Sequence, residues 1–419
     1  MNQYNKQFSL RSRLFLGFLI AILLIPQTDT LYLSPAKIVA SKNLFSLEQF
    51  ELTNFYRKWL HLGWDTLLGN NPSHEEQLSL LDEYLILARR IKKEERRLEE
   101  LANNPSITMN SVIEKESYLS NSYLNELLKT ERDLRARAES TIENELDIVL
   151  KSQGLKSWLG VVFPPVDITF DDTPKVLVIS PRDQIKLQET VLLNSDIDIS
   201  ERNRIENELL DNYNLSAFVD DLGGLATYPS LIPNTYLLRS ILRITAHEWL
   251  HHYFFFNPLG QNMYNSNEML VINETTADIA GRELGDIAFI QMGGDIDFSA
   301  SRFLPENQRD PILTLEMREI RLTVETLLSQ DKIIEAERYM KERWWHLVLA
   351  GYRLRKLNQA YFAFRGNYAE SSASISPLGD QLKELRSLVP NVGSFVNIMS
   401  GISNHREFLH ILEDLRMEK

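Results

Sequence analysis

The amino-acid sequence predicts an α+β fold that is predominantly helical and contains one small sheet. Three observations lead to this prediction. Helical periodicity without strand patterns runs from about residue 44 to residue 154, and β-branched alternation is confined to stretches between Leu159 and Pro233. Helical patterns then return from Thr235 to the end of the chain. The sheet is therefore expected between two helical regions.

These changes of pattern divide the chain into four parts. Residues 1–40 are expected to be a signal peptide or membrane anchor, and residues 41–158 a region built on a long helical hairpin. Residues 159–330 are expected to form the core that carries the chemistry, and residues 331–419 a helical region that completes it.

The composition excludes several classes of protein. The chain has 419 residues, 43% of them hydrophobic, which is enough to form a packed core. It has no cysteine, so thiolate metal sites, disulfide scaffolds and cysteine nucleophiles are excluded, and any metal must be bound by histidine and carboxylate. The net charge of −13 argues against nucleic acid as a partner, because phosphate binding needs a basic surface.

The N-terminus has the pattern of an export signal. A basic segment without acids precedes twelve apolar residues, Leu14 to Ile25, which are too few to cross a bilayer comfortably. Val39-Ala40-Ser41 offers an imperfect cleavage site, so a cleaved signal and a retained anchor both remain open. Either case predicts an exported protein, secreted or membrane-anchored, whose main part is extracytoplasmic. A buried core helix is the less favoured alternative.

Two long helices are predicted in the N-terminal region. The first runs from about Ser73, which can cap it, to about Leu101, and the second from about Asn110 to about Lys151. Asn103 to Ser106 separates them, which predicts a hairpin. Acids interrupt the basic run from Arg89 to Arg97, so a solvated helix face is favoured over a membrane or nucleic-acid site.

The sheet is predicted from short segments. Val161 to Ile179 contains two strands split by the turn Asp171-Asp172-Thr173-Pro174, and a polar helix follows near Ser200 to Asn212. Ala217 to Val219 and Leu225 to Tyr228 are two further strand candidates, the second at an edge because Pro229 follows it.

The motif HExxH indicates metal chemistry. Asn234 is a candidate cap for a helix that carries His247, Glu248 and His251. The i,i+4 spacing places both imidazoles on one helix face, where they can share one cation, and Glu248 projects beside them. Zinc with two histidines and one carboxylate keeps a position for an activated water, and Glu248 is placed to take its proton.

A downstream segment supplies the missing carboxylate. Asn273-Glu274-Thr275-Thr276-Ala277-Asp278 opens another helical pattern, and Glu274 offers the third metal ligand. Asp278 lies one helical turn further on the same face, where it can accept the ring N–H of a ligand histidine.

From Thr235 to Asp286 the sequence resembles the gluzincin metallopeptidases of the thermolysin-like kind, which pair HExxH with a downstream NExxxD. The resemblance implies a zincin-like core, Zn²⁺ as cofactor and hydrolysis of peptide bonds. It implies that His247, His251 and Glu274 bind zinc, that Glu248 is the general base, and that Asp278 is the outer partner of His247. The loop Phe254 to Ile272 is longer than in that family.

The resemblance leaves the group that stabilises the oxyanion unassigned. The candidates are His346, Tyr361, Arg365 and Tyr368, although core packing is the favoured interpretation of the aromatic stretch that holds the last three. In such enzymes an extended substrate pairs with the strand before the zinc helix, a place that Gly224 to Tyr228 occupies here. His252 follows the second ligand but points about 100° away, so it is expected to be a polar neighbour.

Two functions are carried forward from the sequence. The leading prediction is a zinc metallopeptidase acting on a peptide or protein substrate. The alternative is a cell-envelope interaction or structural protein, built on the helical hairpin, with a structural or inactive zinc site. Glu248 favours the enzyme, because a purely structural site has no use for a base.

Overall fold

The computed structural model describes residues 33–48, 50, 73–102, 111–296, 311–368 and 371–418. Within these residues the fold is predominantly helical with few short strands, which confirms the predicted class. The apolar segment from Leu14 to Ile25 and the break at residues 103–106 lie outside the described residues. No helix in the described part of the chain is long and apolar enough to cross a membrane.

The elements follow one another in an order close to the predicted one. The helices are α1 (Pro35–Val39), α2 (His74–Ala102), α3 (Ser111–Ser152), α4 (Ile199–Tyr213), α5 (Leu238–Phe255), α6 (Pro258–Gln261), α7 (Asn267–Gln291), α8 (Pro311–Ser329), α9 (Ile333–Leu349), α10 (Gln359–Arg365), α11 (Leu378–Leu388), α12 (Val392–Ser400) and α13 (His405–Met417). The strands are β1 (Ile168–Phe170), β2 (Lys175–Pro181), β3 (Glu189–Leu193), β4 (Leu215–Asp221) and β5 (Ser230–Ile232).

The hairpin helices α2 and α3 begin and end close to the positions predicted from periodicity. Ser73 and Glu76 form a reciprocal cap, in which the Ser73 N–H donates to the Glu76 carboxylate at 2.7 Å and the Glu76 N–H donates to the Ser73 hydroxyl at 3.3 Å. The two helices pack against each other, and Tyr84 is fully buried. Its hydroxyl donates to Glu131 on α3 at 2.7 Å.

Carboxylates of α3 attach the hairpin to the central part of the fold. Glu143 accepts the Ile168 N–H and Glu139 accepts the Phe170 N–H, each at 2.8 Å. Both donors lie on β1, so these side chains satisfy backbone groups that would otherwise lack partners on that strand. The hairpin and the HExxH helix α5 bury side chains in one hydrophobic cluster.

The strands form two small sheets. β2 is central to an antiparallel sheet of order β3-β2-β4, in which Leu177 lies opposite Val191 on one side and Val219 on the other. β1 pairs in parallel with β5 in a second, two-stranded sheet. The two strands predicted within 161–179 correspond to β1 and β2, and Ala217 to Val219 lies within β4.

The strand predicted at Leu225 to Tyr228 is wrong. The strand is β5, which begins two residues later, and Leu225 makes only an isolated bridge to Leu231. The reason is a tight local turn, because the Thr227 N–H donates to the Leu225 carbonyl at 2.8 Å and its hydroxyl donates to the Pro229 carbonyl at 2.7 Å. These bonds hold the backbone in a bend instead of an extended ladder.

The C-terminal helices complete the core around α7. Leu382 on α11, Phe395 on α12 and Phe408 on α13 are fully buried in the cluster that also contains α5 and α7. Helices α8 and α9 pack on each other in a separate cluster. Helix α10 packs on β2 and β4, and it leads into the segment that contains Tyr368.

Candidate metal centre

Helix α5 carries the HExxH motif on a largely buried scaffold. Its apolar residues Ile241, Leu242 and Leu250 are fully buried, as the helical periodicity predicts. The predicted cap is wrong, since the helix begins at Leu238 and Leu237 provides no side-chain cap. The side-chain amide of Asn234 instead donates to the Tyr84 hydroxyl of α2 at 3.0 Å. A tertiary partner therefore replaces the expected local one.

The three predicted ligand side chains come together between α5 and α7. The Nε2 atoms of His247 and His251 lie 3.0 Å apart, and Oε2 of Glu274 lies 3.8 Å from the first and 3.6 Å from the second. Their ligand-type atoms all lie within 4.8 Å of one another. All three side chains are partly exposed, by 14–19%, so solvent reaches the cluster.

The donor set fits a zinc ion. Two imidazole nitrogens and one carboxylate oxygen are usual zinc ligands, and tetrahedral geometry at Zn–N distances of about 2.0–2.1 Å separates ligand atoms by roughly 3.3 Å. The observed separations bracket that value, so small side-chain adjustments would place all three atoms around one ion. In the described part of the chain this is the one cluster of metal-ligand type.

Two glycines allow α7 to approach the ligand helix closely. A Cβ atom at Gly281 would lie 2.9 Å from the Cα of His247, and one at Gly285 would lie 2.5 Å from the Cα of Arg243. Both separations are shorter than non-bonded atoms tolerate, and both involve backbone that cannot move aside. The two glycines are one helical turn apart, so they form the contact strip that brings Glu274 to the histidines.

An ion-pair cluster fixes the same two helices further along. Arg239 and Arg243 of α5 both donate to the Asp286 carboxylate of α7, at distances of 2.7–3.0 Å. These arginines lower the pKa of Asp286 despite its partial burial. Two forked contacts to one carboxylate hold the register of α5 against α7, because each fork is planar and directional.

Glu248 is the buried carboxylate beside the ligands. Its side chain is 7% exposed, and burial, together with the nearby charge of Glu274, raises its pKa to about 8. A bound dication would oppose the effect of Glu274 and favour the ionised form. The segment before β5 covers Glu248, because a Cβ atom at Gly224 would lie 2.5 Å from its Oε1.

For the peptide hydrolysis that the sequence predicts, we expect Gly224→Ala to lower the rate, because the added methyl group must displace the Glu248 carboxylate. A displacement of about 1 Å at a catalytic group can cost up to about 10²-fold in rate. The matched control is Gly223→Ala, where a Cβ atom meets nothing within 4 Å. Neither glycine has a positive φ, so alanine suits both backbones. Hydrolysis rates at equal metal content test this, and equal losses in the two variants would contradict it.

Of the four oxyanion candidates, Tyr368 contacts the metal cluster. Its hydroxyl donates a hydrogen bond to Glu274, and the charges of Glu274 and Glu248, with burial, raise its pKa well above the usual value. Arg365 lies close enough for its charge to act on Tyr368, and it pairs with Asp220 at 2.7 Å. Tyr361 packs edge-on against Phe218, in agreement with the core-packing interpretation for that position.

The remaining oxyanion candidate, His346, is exposed on α9, away from that helix's buried face.

Asp278, the predicted outer partner of His247, forms an ion pair with Arg282 on its own helix at 2.5 Å. The backbone of Ala277 forms a hydrogen bond with His247 and so can fix the orientation of that ring. The role of Asp278 as outer partner of His247 stays a prediction.

His252 is oriented towards the segment before β5. Its ring faces the backbone of Ala226 and Thr227, while its buried Nε2 has no hydrogen-bond partner among the described residues, and the ring contacts Tyr228 edge-on at a centroid distance of 5.6 Å. Burial lowers its pKa to about 4, so the ring is neutral near pH 7. It stands beside the metal cluster and contributes no ligand atom to it.

Several residues that position the site were not singled out from the sequence. Gly281 and Gly285 carried a detectable signal, because glycines one turn apart in a helix indicate close packing of a second backbone. Gly224 was named only as the start of the possible substrate-pairing segment, and its contact with Glu248 carried no signal of its own. The Arg239–Arg243–Asp286 cluster carried none, since such charges are common on helix surfaces.

Comparison with known proteins gave no match: no family model, no curated protein and no solved structure is significantly similar to this chain.

Proposed function

We propose that this protein is a zinc-dependent metallopeptidase with a zincin-like core formed by α5, α7 and the small sheets. The observation that carries the proposal is the position of Glu248. A buried carboxylate stands beside two histidines and a glutamate that can share a metal ion. A base next to an open metal site is what hydrolysis needs, whereas a structural site is closed by a fourth ligand.

The side chains divide the chemistry among them. His247, His251 and Glu274 would hold the ion, which supplies Lewis-acid activation of water and of the scissile carbonyl when bound. Glu248 would accept the proton from the attacking water and pass it to the leaving amine. The Gly224 segment limits the space around Glu248 and so keeps its carboxylate close to the cluster. Peptides or proteins are the proposed substrates.

Tyr368 is the proposed oxyanion donor. Its raised pKa keeps the hydroxyl protonated, and its hydrogen bond to Glu274 places this donor at the cluster. A hydroxyl held there can donate to the oxygen that becomes negative as water adds to the carbonyl. Arg365, fixed by Asp220, adds positive charge near the same position.

We expect Tyr368→Phe to lower kcat by about 10²-fold, which is the usual cost of losing one oxyanion donor. The phenyl ring fills the same space, but the hydrogen bond to Glu274 is lost, so metal affinity should fall by up to about 10–100-fold. The two proteins are therefore compared at zinc concentrations that saturate both. The matched control is Tyr361→Phe in the same aromatic stretch, whose ring packs on Phe218. Wild-type kcat for Tyr368→Phe would contradict the proposed role, and so would an equal loss in both variants.

The alternative function requires a closed site. Among the described residues three ligand-type side chains converge, which leaves a tetrahedral ion one position, and all three remain partly exposed to solvent. These observations favour an open site over a structural one.

The proposal is tested by metal analysis and a peptide-library cleavage assay on the purified protein. We expect about one zinc ion per chain and cleavage of unstructured peptides. A chelator should abolish cleavage and added zinc should restore it. Zinc retained at full occupancy without cleavage of any peptide would support the structural alternative, and cleavage that persists without metal would overturn the proposal.

A further inference from the structure

An exposed apolar surface lies at the C-terminal end of the metal-binding helix. We name it the aromatic patch, and it consists of six exposed residues: Trp158, Leu159, Val161, Phe163, Phe255 and Phe256. Trp158 is 92% exposed and Phe255 is 70% exposed. Single apolar residues on a surface need no explanation, but a cluster of this size usually marks a binding surface.

The patch is built from two segments that meet in space. The ring of Phe163 lies 5.1 Å from that of Phe256, which in turn lies 5.2 Å from that of Phe255. Residues 157–161 form a tight turn, in which the Ser157 N–H donates to the Val161 carbonyl at 2.8 Å. Trp158 and Leu159 therefore stand at the tip of a projecting loop.

Both segments lack charge. Residues 157–166 and 253–267 contain no Asp, Glu, Lys or Arg, although 25% of the chain is charged. A patch that contacts water alone gains nothing from this absence. A patch that enters the boundary between lipid headgroups and acyl chains needs it, because each inserted charge would have to lose its hydration. Tryptophan and other aromatic residues favour that boundary.

The N-terminal part of the chain supplies a second argument for a membrane. Helix α1 is built into the fold, since Ala36, Val39 and Ala40 are buried against the antiparallel sheet. Cleavage after Ala40 would remove this packed segment. The apolar segment ends at Ile25, eight residues before the described chain begins at Leu33. Helix α1 begins ten residues after Ile25, so at about 3.3–3.6 Å per residue a lipid-inserted segment would hold α1 within about 35 Å of the bilayer.

We propose that the aromatic patch inserts into the interface of a lipid bilayer and docks the folded body on the membrane surface. Phe255 follows His251 by four residues, so the two side chains share one face of α5. Docking through the patch therefore places the metal cluster close to the lipid surface. The exposed Lys156 precedes the patch in sequence by two residues, and its charge could pair with lipid phosphates. This inference does not depend on hydrolysis.

The absence of cysteine allows a direct test on the full chain. Trp158→Cys, labelled with an environment-sensitive dye, is reconstituted in phosphatidylcholine vesicles that contain lipids with a nitroxide quencher near the headgroup. The matched control is Trp345→Cys, because Trp345 is an exposed tryptophan on α9, which packs in a separate cluster. We expect a blue shift and several-fold stronger quenching at position 158 than at position 345. Circular dichroism checks that both variants are folded.

A second variant identifies the patch as the contact. With the dye at Phe255→Cys, the added substitution Leu159→Asp should remove most of the quenching, because it places a charge at the tip of the loop. A dye at position 158 that stays in water on vesicles would overturn the proposal. A blue shift that appears without lipid and grows with protein concentration would also overturn it, since the occupant would then be a second copy. Unchanged quenching with Leu159→Asp would do the same.

Discussion

Glu248→Gln is expected to keep the metal and to lose peptide hydrolysis by at least about 10²–10⁴-fold, the usual contribution of a general base. Glutamine has nearly the same shape as glutamate, so it fits in the space beside Gly224 that the Glu248 side chain occupies. The three ligand side chains are untouched. The amide cannot accept a proton at neutral pH, and the attacking water then lacks a base.

Two measurements on the same preparation separate the base from the metal site. Metal content should equal that of the wild type, and kcat should fall while peptide binding is retained. Glu248→Asp is the companion variant, because it keeps the carboxylate but withdraws it by one methylene. We expect intermediate activity from it. If Glu248→Gln hydrolyses peptides at the wild-type rate, Glu248 is not the base, and if it loses metal, Glu248 contributes to holding the ion.

The parts of this molecule that the sequence predicted correctly depend on local signals. The bounds of α2 and α3 follow from apolar periodicity and from a cap whose two partners are three residues apart. The approach of the His247 and His251 rings to each other is likewise local, since one helical turn fixes their geometry. The approach of Glu274 to them was predicted because it stands in a second short motif with its own spacing. That the three bind a metal stays a prediction.

The parts that were missed or wrong depend on partners distant in the chain. Asn234 looks like a helix cap, yet Tyr84 from the hairpin takes its amide. Leu225 to Tyr228 has strand composition, yet bonds to the Leu225 and Pro229 carbonyls bend it. Tyr368 was named only as one of four candidates, because α8, α9 and α10 separate it from Glu274 in the chain and no spacing rule selects it from the other three.

His251→Ala is expected to abolish metal binding, whereas His252→Ala is expected to retain it. The neighbouring histidines differ by about 100° around α5. His251 faces His247 and Glu274, and His252 faces instead the backbone of Ala226 and Thr227. Loss of an outer partner alone commonly costs 10–100-fold in metal affinity, so removal of a ligand should cost more than about 100-fold.

The difference should also appear in stability, because an ion that binds only the folded state stabilises it. At a free concentration about 1,000 times its dissociation constant, the ion adds about 4 kcal/mol to the free energy of unfolding. Added zinc should therefore raise the Tm of the wild type and of His252→Ala, and leave that of His251→Ala unchanged. His252→Ala itself should lose some stability without metal, since it removes a half-buried ring that contacts Tyr228 and faces the backbone of Ala226 and Thr227.

The paired design makes the ligand assignment decisive. If each substitution merely loosened α5, both His251→Ala and His252→Ala would have a lower Tm, and added zinc would still raise the Tm of each. Loss of the rise in His251→Ala alone can come only from the metal site, because the two substitutions remove the same side chain from adjacent positions of one helix. The assignment of His251 fails if its alanine variant still binds one zinc ion per chain with wild-type affinity. It also fails if His252→Ala is the variant that loses the ion.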